Sequence, residues 1–165
     1  MSRDGSINEK ATALLALCRA RRLKLATAES CTGGLIIGCL TDIAGSSDVV
    51  DRGFVTYSNA AKTEMIGVPS GLLARDGAVS ASVARAMAEG ALARSNADLA
   101  VAVTGIAGPG GATTEKPVGL VFFACARRGA MTRHERRVFP GDRAAVRQAT
   151  VDAALELLRA LAEAE

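Results

Sequence analysis

The sequence contains no tryptophan, one tyrosine and four phenylalanines, so aromatics make up 3% of its 165 residues. Few rings are left on which unstacked bases could pile, and nucleic acid is not indicated as a partner. One histidine and four cysteines, Cys18, Cys31, Cys39 and Cys125, form no C-x-x-C pair. A Cys/His zinc site therefore has almost no ligands, and a disulfide framework has no pattern to follow. No metal and no cofactor are expected. No apolar run approaches the roughly 18 residues of a membrane span, because Gly, Ser, Asp, Lys or Arg interrupts each one. Met1 to Ser6 also lacks the apolar stretch of a secretory signal. A cytoplasmic protein without membrane association is expected.

What remains is ordinary globular material. Hydrophobic residues make up 49%, charged residues 22%, and 20 Lys and Arg against 17 Asp and Glu leave a mild net charge of +3. The length suits one domain, residues 1–165, able to bury a core without staples. Ile7, Ala11, Leu14, Leu15 and Cys18 recur at helical spacing and predict an amphipathic helix over about residues 6–21. Leu23 to Ala28 then reads as a strand, Glu29 to Gly34 as a turn, and Leu35 to Leu40 as a buried helix. Val49 to Tyr57 is rich in β-branched and aromatic residues, and Ser58-Asn59 starts a helix over Ala60 to Ile66. Ser80 caps a helix carrying Val83, Ala86, Met87 and Ala91. Leu99 to Val103, with no polar member, reads as a strand covered on both faces. Thr104 to Thr114 is a glycine-rich loop, closed by Pro117. Val118 to Ala126 and Met131 to Phe139 form an antiparallel hairpin, and Asp142 caps a last helix with the stripe Val146, Ala149, Ala153, Leu157 and Leu161. The expected fold is a single three-layer α/β/α domain with a mixed, largely parallel sheet and an antiparallel hairpin near one edge.

In open α/β sheets the ligand crevice lies beyond the carboxyl ends of the strands. Three strand exits, Glu29 to Gly34, Tyr57 to Lys62 and Thr104 to Gly111, are chemically loaded. Ser30 precedes Thr32-Gly33-Gly34 at a helix start, where free N–H groups favour an anion or a developing oxyanion; the same residues also suit plain capping and close packing. Lys62 lies about one helical turn beyond Tyr57-Ser58-Asn59. A desolvated lysine of lowered pKa can take a serine proton, whereas a solvated surface lysine is the plainer reading. His134 sits among Arg133, Glu135, Arg136 and Arg137 and reads as solvated. Gly105, Gly108, Gly110 and Gly111 let backbone amides approach a ligand, or simply make a flexible connection. The spacing is neither a Walker loop nor a dinucleotide fingerprint. Arg143 and Arg147 share one face near the start of the last helix, as a phosphate fork or as ordinary surface arginines.

These motifs together resemble the CinA C-terminal domain family, which includes the stand-alone PncC-type nicotinamide-nucleotide amidases. The resemblance rests on Ala28-Glu29-Ser30-Cys31-Thr32-Gly33-Gly34, Tyr57-Ser58-Asn59 with Lys62, Thr104-Gly105-Ile106-Ala107-Gly108-Pro109-Gly110-Gly111, Lys116-Pro117-Val118-Gly119, and Gly141-Asp142-Arg143 with Arg147. It implies hydrolysis of nicotinamide mononucleotide to nicotinic acid mononucleotide and ammonia, in pyridine nucleotide recycling. By the same resemblance Ser30 is the nucleophile and Lys62 the base, with Tyr57 and Thr104 orienting them or the substrate amide. Cys31, Thr32, Gly33, Gly34, Gly105, Ala107, Gly108, Arg143 and Arg147 are the implied substrate contacts. Many family members carry a further N-terminal domain resembling molybdenum-cofactor-binding proteins; with about 28 residues ahead of the first motif, that domain is not expected within these 165 residues.

The leading expectation is thus an amidohydrolase acting on a small phosphorylated nucleotide without a cofactor. A non-catalytic nucleotide-binding regulatory module is the alternative, and a DNA-associated partner protein ranks last, since no recognition helix or basic stripe is evident. Self-association into a homo-oligomer is compatible with a domain of this size.

Overall fold

The most uniformly apolar segment, Leu99–Gly105, is strand β3, and all of it but Gly105 is buried. It lies at the centre of a five-stranded sheet of order β2-β1-β3-β4-β5, with β1 at Leu25–Glu29, β2 at Val50–Val55, β4 at Leu120–Arg127 and β5 at Arg133–Val138. This computed structural model describes residues 3–164, with side chains from Ser6 to Ala164. β1 runs parallel to β2 and β3, whereas β4 is antiparallel to both β3 and β5. The expected mixed sheet with an antiparallel hairpin at one edge is what forms.

Six helices cover its two faces: α1 (Arg3–Arg21), α2 (Leu35–Thr41), α3 (Asn59–Ile66), α4 (Ser70–Asp76), α5 (Ala81–Ala93) and α6 (Arg143–Glu163). Strand alternation divides the core between them. Leu25, Leu99, Val101 and Val103 enter one apolar cluster with residues of α1, α2 and α6. Ala26, Ala28, Ala100, Ala102, Ala124 and Ala126 face the other way, toward α3, α4 and α5. That second face is paved with alanine, so its helices come close. At Gly90 in α5 an added Cβ would lie 2.0 Å from the Ile66 carbonyl oxygen, which is how tightly the end of α3 rests on α5.

The structure corrects several boundaries. Thr104 and Gly105 belong to β3, because Phe122 and Val121 of β4 remain opposite them, so the glycine loop begins at Ile106. β2 ends at Val55, β4 begins at Leu120 and β5 covers only Arg133–Val138. α4 was not anticipated, nor was the 3-10 turn at Ser46–Asp48. In α6, Ala149, Leu157 and Leu161 are only half-buried. Its fully buried positions are Val146, Thr150, Val151, Ala153, Ala154, Leu155, Leu158 and Ala162, a broader arc because α6 packs on α1 as well as on β3 and β4. No helix of the described residues is long and apolar enough to cross a membrane.

Candidate active site

Adjacent residues at the end of β1 point to opposite faces of the sheet. Glu29 reaches the start of α2, and Ser30 reaches α3. The Ser30 N–H donates to the Val103 carbonyl at 3.0 Å, holding it against β3 as the strand ends. The chain then turns: the Gly33 N–H donates to the Ser30 carbonyl at 3.1 Å. Gly33 and Gly34 take φ values of 57° and 103°, a region that side chains with a Cβ enter only with strain. α3 starts where Ser58 Oγ accepts from the Ala61 N–H at 3.0 Å, and Lys62 is its fourth residue.

Lys62 is 1% exposed, and its Nζ lies 3.0 Å from Ser30 Oγ. The same nitrogen donates to the Thr56 carbonyl at 2.9 Å and the Tyr57 carbonyl at 3.1 Å. Burial pulls the Lys62 pKa below the ordinary lysine value of 10.5. A neutral amine has two N–H bonds and one lone pair, and a carbonyl can only accept. If the two carbonyls take the two N–H bonds, the lone pair is left facing Ser30. The neutral lysine is therefore oriented as an acceptor for the serine proton.

The other expected site residues serve this pair in different ways. Tyr57 contributes through its backbone carbonyl; its ring is 62% exposed and its phenol oxygen accepts from Arg143 Nη2 at 3.3 Å. Thr104 directs its hydroxyl to the Ala78 carbonyl at 2.9 Å, fixing the segment between α4 and α5, and has no bond to Ser30 or Lys62. Cys31 is buried, and burial pushes its thiol up to about 11, so it stays protonated near neutrality. Gly33 cannot offer a free N–H, whereas the Thr32 and Gly34 N–H groups have no acceptor among the described residues. Gly105 is engaged in the sheet, Ala107 is buried, and the Gly108 carbonyl accepts from Arg143 Nη1 at 2.9 Å. Arg143 thus links the glycine loop to Tyr57. Arg147 turns inward: its Nε and Nη2 donate to the Cys31 and Thr32 carbonyls at 3.1 and 3.2 Å.

Three residues of the neighbourhood were given no role by sequence reasoning, although Glu29 and Lys116 stand inside the motifs that carry the resemblance. The Glu29 carboxylate is wholly buried under α2, the Thr56 hydroxyl is buried without a partner, and Lys116 Nζ ties the glycine loop to the Asp76 carbonyl at 2.8 Å. A glutamate closing a short strand normally reads as solvated. Its cues were its place in the Ser30 motif and its position, seven and eight residues before the α2 amides that donate to it.

A match to the CinA C-terminal domain spans residues 7–162. This chain belongs to that family. A CinA-like protein of Akkermansia muciniphila is 59% identical over 133 residues, which are 81% of this chain and 32% of that protein. A putative competence-damage inducible protein of Caldicellulosiruptor bescii is 49% identical over 146 residues, 88% of this chain and 35% of that one. The chain spans about a third of the length of these curated relatives. Among solved structures, the competence/damage inducible protein CihA of Agrobacterium tumefaciens superposes with a TM-score of 0.92 at 54% identity, covering 94% of this chain and 95% of that one. The competence damage-inducible protein A of Klebsiella pneumoniae gives 0.92 at 38% identity over 96% and 99% of the two chains. The CinA names describe induction and specify no reaction.

Proposed function

We propose that this CinA domain is an amidohydrolase that converts nicotinamide mononucleotide to nicotinic acid mononucleotide and ammonia, as a step in pyridine nucleotide recycling. The observation that carries the chemistry is the 3.0 Å contact between Ser30 Oγ and a buried Lys62 Nζ whose remaining neighbours are two carbonyls. The nucleotide substrate follows from the likeness of the motifs to the amidases of the family. Arg143 holds the Gly108 carbonyl with Nη1 and an exposed phenol with Nη2, and exchanging the long phenol contact for a phosphate would give it a charge-assisted partner.

In the first half-reaction Ser30 Oγ attacks the carboxamide carbon as its proton passes to neutral Lys62. The oxyanion that forms is met by N–H groups of the Thr32–Gly34 turn, of which Thr32 and Gly34 are unengaged. The C–N bond then breaks, Lys62 returns its proton to the departing nitrogen, and ammonia leaves an ester on Ser30. Water attacks that ester by the same route, delivering its proton to Lys62, and the ester C–O bond breaks. The carboxylic acid leaves and Ser30 regains its proton. Arg147 acts through the turn that it holds, which revises its expected role as a phosphate contact.

The test is ammonia release from nicotinamide mononucleotide by wild type and by Ser30→Ala. Turnover by wild type and a loss of about 1,000-fold or more in the variant, with nucleotide binding retained, supports the reading. Tight nucleotide binding by wild type without turnover would make the domain a regulatory binding module.

A further inference from the structure

Glu29 is 0% exposed, and no Lys, Arg or His among the described residues pairs with it. Its charge is instead met by four donors. Oε1 accepts from Thr32 Oγ1 at 2.6 Å and from the Ile36 N–H at 2.9 Å. Oε2 accepts from the Ile37 N–H at 3.0 Å and from Thr27 Oγ1 at 3.3 Å. A buried carboxylate without a cation is a costly way to fill space, since an apolar side chain avoids the desolvation altogether. Stability alone gives a poor account of it.

Its connections suggest another. The Glu29 backbone ends β1 and immediately precedes Ser30, while its carboxylate is bonded to Thr32, two residues past Ser30, and to the first turn of α2. The nucleophile turn is therefore closed into a ring by one side chain and simultaneously fixed to the strand and the helix that flank it. Arg147 grips the carbonyl side of the same turn, so Glu29 and Arg147 leave Ser30 little room to move. The carboxylate also occupies the N–H groups of Ile36 and Ile37, so the start of α2 is an internally filled cap and offers no anion site to substrate.

We propose that Glu29 is a positioning residue which, through Thr32 and the α2 amides, holds the Ser30 turn within proton-transfer distance of Lys62. This rests on Ser30 and Lys62 being the reacting pair. It goes beyond that reading by assigning the register of the pair to a carboxylate that touches neither substrate nor the reacting atoms. Small displacements matter here, because a shift of about 1 Å between reacting groups can cost on the order of 100-fold in rate.

Glu29→Gln keeps the volume but presents one oxygen and one NH2, setting a donor against an N–H of Ile36 or Ile37. The expected result is a folded protein whose kcat on nicotinamide mononucleotide falls about 10- to 100-fold while KM stays within about twofold. Thr32→Val should share that kcat loss, and Thr32→Ser should restore it, because only the hydroxyl is at issue. Crystal structures of Glu29→Gln or Thr32→Val should show Ser30 Oγ and Lys62 Nζ drawn apart beyond about 3.5 Å. A folded Glu29→Gln protein with wild-type kcat overturns the proposal. If Glu29→Gln does not fold, equal kcat in Thr32→Val and wild type does the same. Should wild type release no ammonia, the amidase reading fails, and an unchanged Ser30 to Lys62 distance in Thr32→Val decides against Glu29 independently.

Discussion

At the scale of single residues, Lys62 joins function to stability. Its folded pKa lies below 10.5, so near neutrality the folded state holds its proton less tightly than the unfolded chain does. The unfolded state therefore binds more protons, and stability gains from this residue as pH rises through the folded value toward 10.5. Lys62→Met, which removes the charge and keeps much of the volume, should have its largest stability advantage over wild type well below the folded Lys62 pKa and a smaller one as pH approaches 10.5. Paired thermal melts check the narrowing gap, and a gap that widens with pH contradicts the assignment. In the proposed mechanism the same deprotonation supplies the base, so kcat/KM should rise with pH along a limb whose midpoint lies below 10.5 and should vanish in Lys62→Met. The two arginines separate by kinetics. Arg143→Ala should raise KM about 10- to 100-fold, the range of a lost charge-assisted contact to phosphate, whereas Arg147→Ala should act mainly on kcat. Of this chemistry, Ser30 and Lys62 were legible one at a time, because Ser and Lys at strand exits stand out. Their pairing came from the resemblance and not from spacing, since 32 positions separate them and the parallel pairing of β1 with β2 is what joins their loops. Tyr57 and Thr104 were expected, by the resemblance, to orient the pair or the substrate amide; in the structure the Tyr57 carbonyl accepts from Lys62 and the Thr104 hydroxyl donates to the Ala78 carbonyl.

Among elements, the placement of α3 matters most, because it carries Lys62. α3 is only eight residues long, too short to hold itself in water, so its position depends on packing. Its last turn rests on α5 at Gly90, where a methyl group would overlap the Ile66 carbonyl. Glycine is a poor helix former by about 1 kcal/mol relative to alanine, so an exposed glycine here would gain from the exchange. Gly90→Ala should do the reverse and destabilise by about 1–3 kcal/mol, as overpacking does, and should lower kcat by moving Lys62. A more stable variant would show that α3 yields freely. Periodicity found α1, α3, α5 and α6 because each shows an apolar stripe or a polar cap. It missed α4, a seven-residue helix with no side-chain cap and one buried residue, Leu73. In α6 it placed Val146 and Ala153 correctly but took Ala149, Leu157 and Leu161 as core, because a helix packed on several neighbours buries more than one narrow face.

In the whole molecule, α6 ties the site to the opposite end of the fold. Its 21 residues span about 30 Å, with Arg143 and Arg147 at the crevice and the final turn near the ends of α1 and β4. That turn is held by arginines. Arg127 Nη1 donates to the Leu161 and Ala164 carbonyls at 2.8 and 2.7 Å, and Arg21 Nη1 to those of Ala162 and Glu163 at 3.0 and 3.1 Å. Cations at a helix C-terminus satisfy orphan carbonyls and oppose the helix dipole. Arg127→Ala should therefore cost about 1–2 kcal/mol, a drop of roughly 2–8 °C in melting temperature for a chain of this size. The break lies a helix length from Ser30, so kcat at 25 °C should stay within about twofold of wild type. Hydrogen exchange should quicken at Leu158 to Ala162 while the amides of Val146 to Thr150 keep their protection. If exchange instead quickens along all of α6, the helix behaves as one cooperative unit, and Arg127 then sets how firmly Arg147 can hold the Ser30 turn.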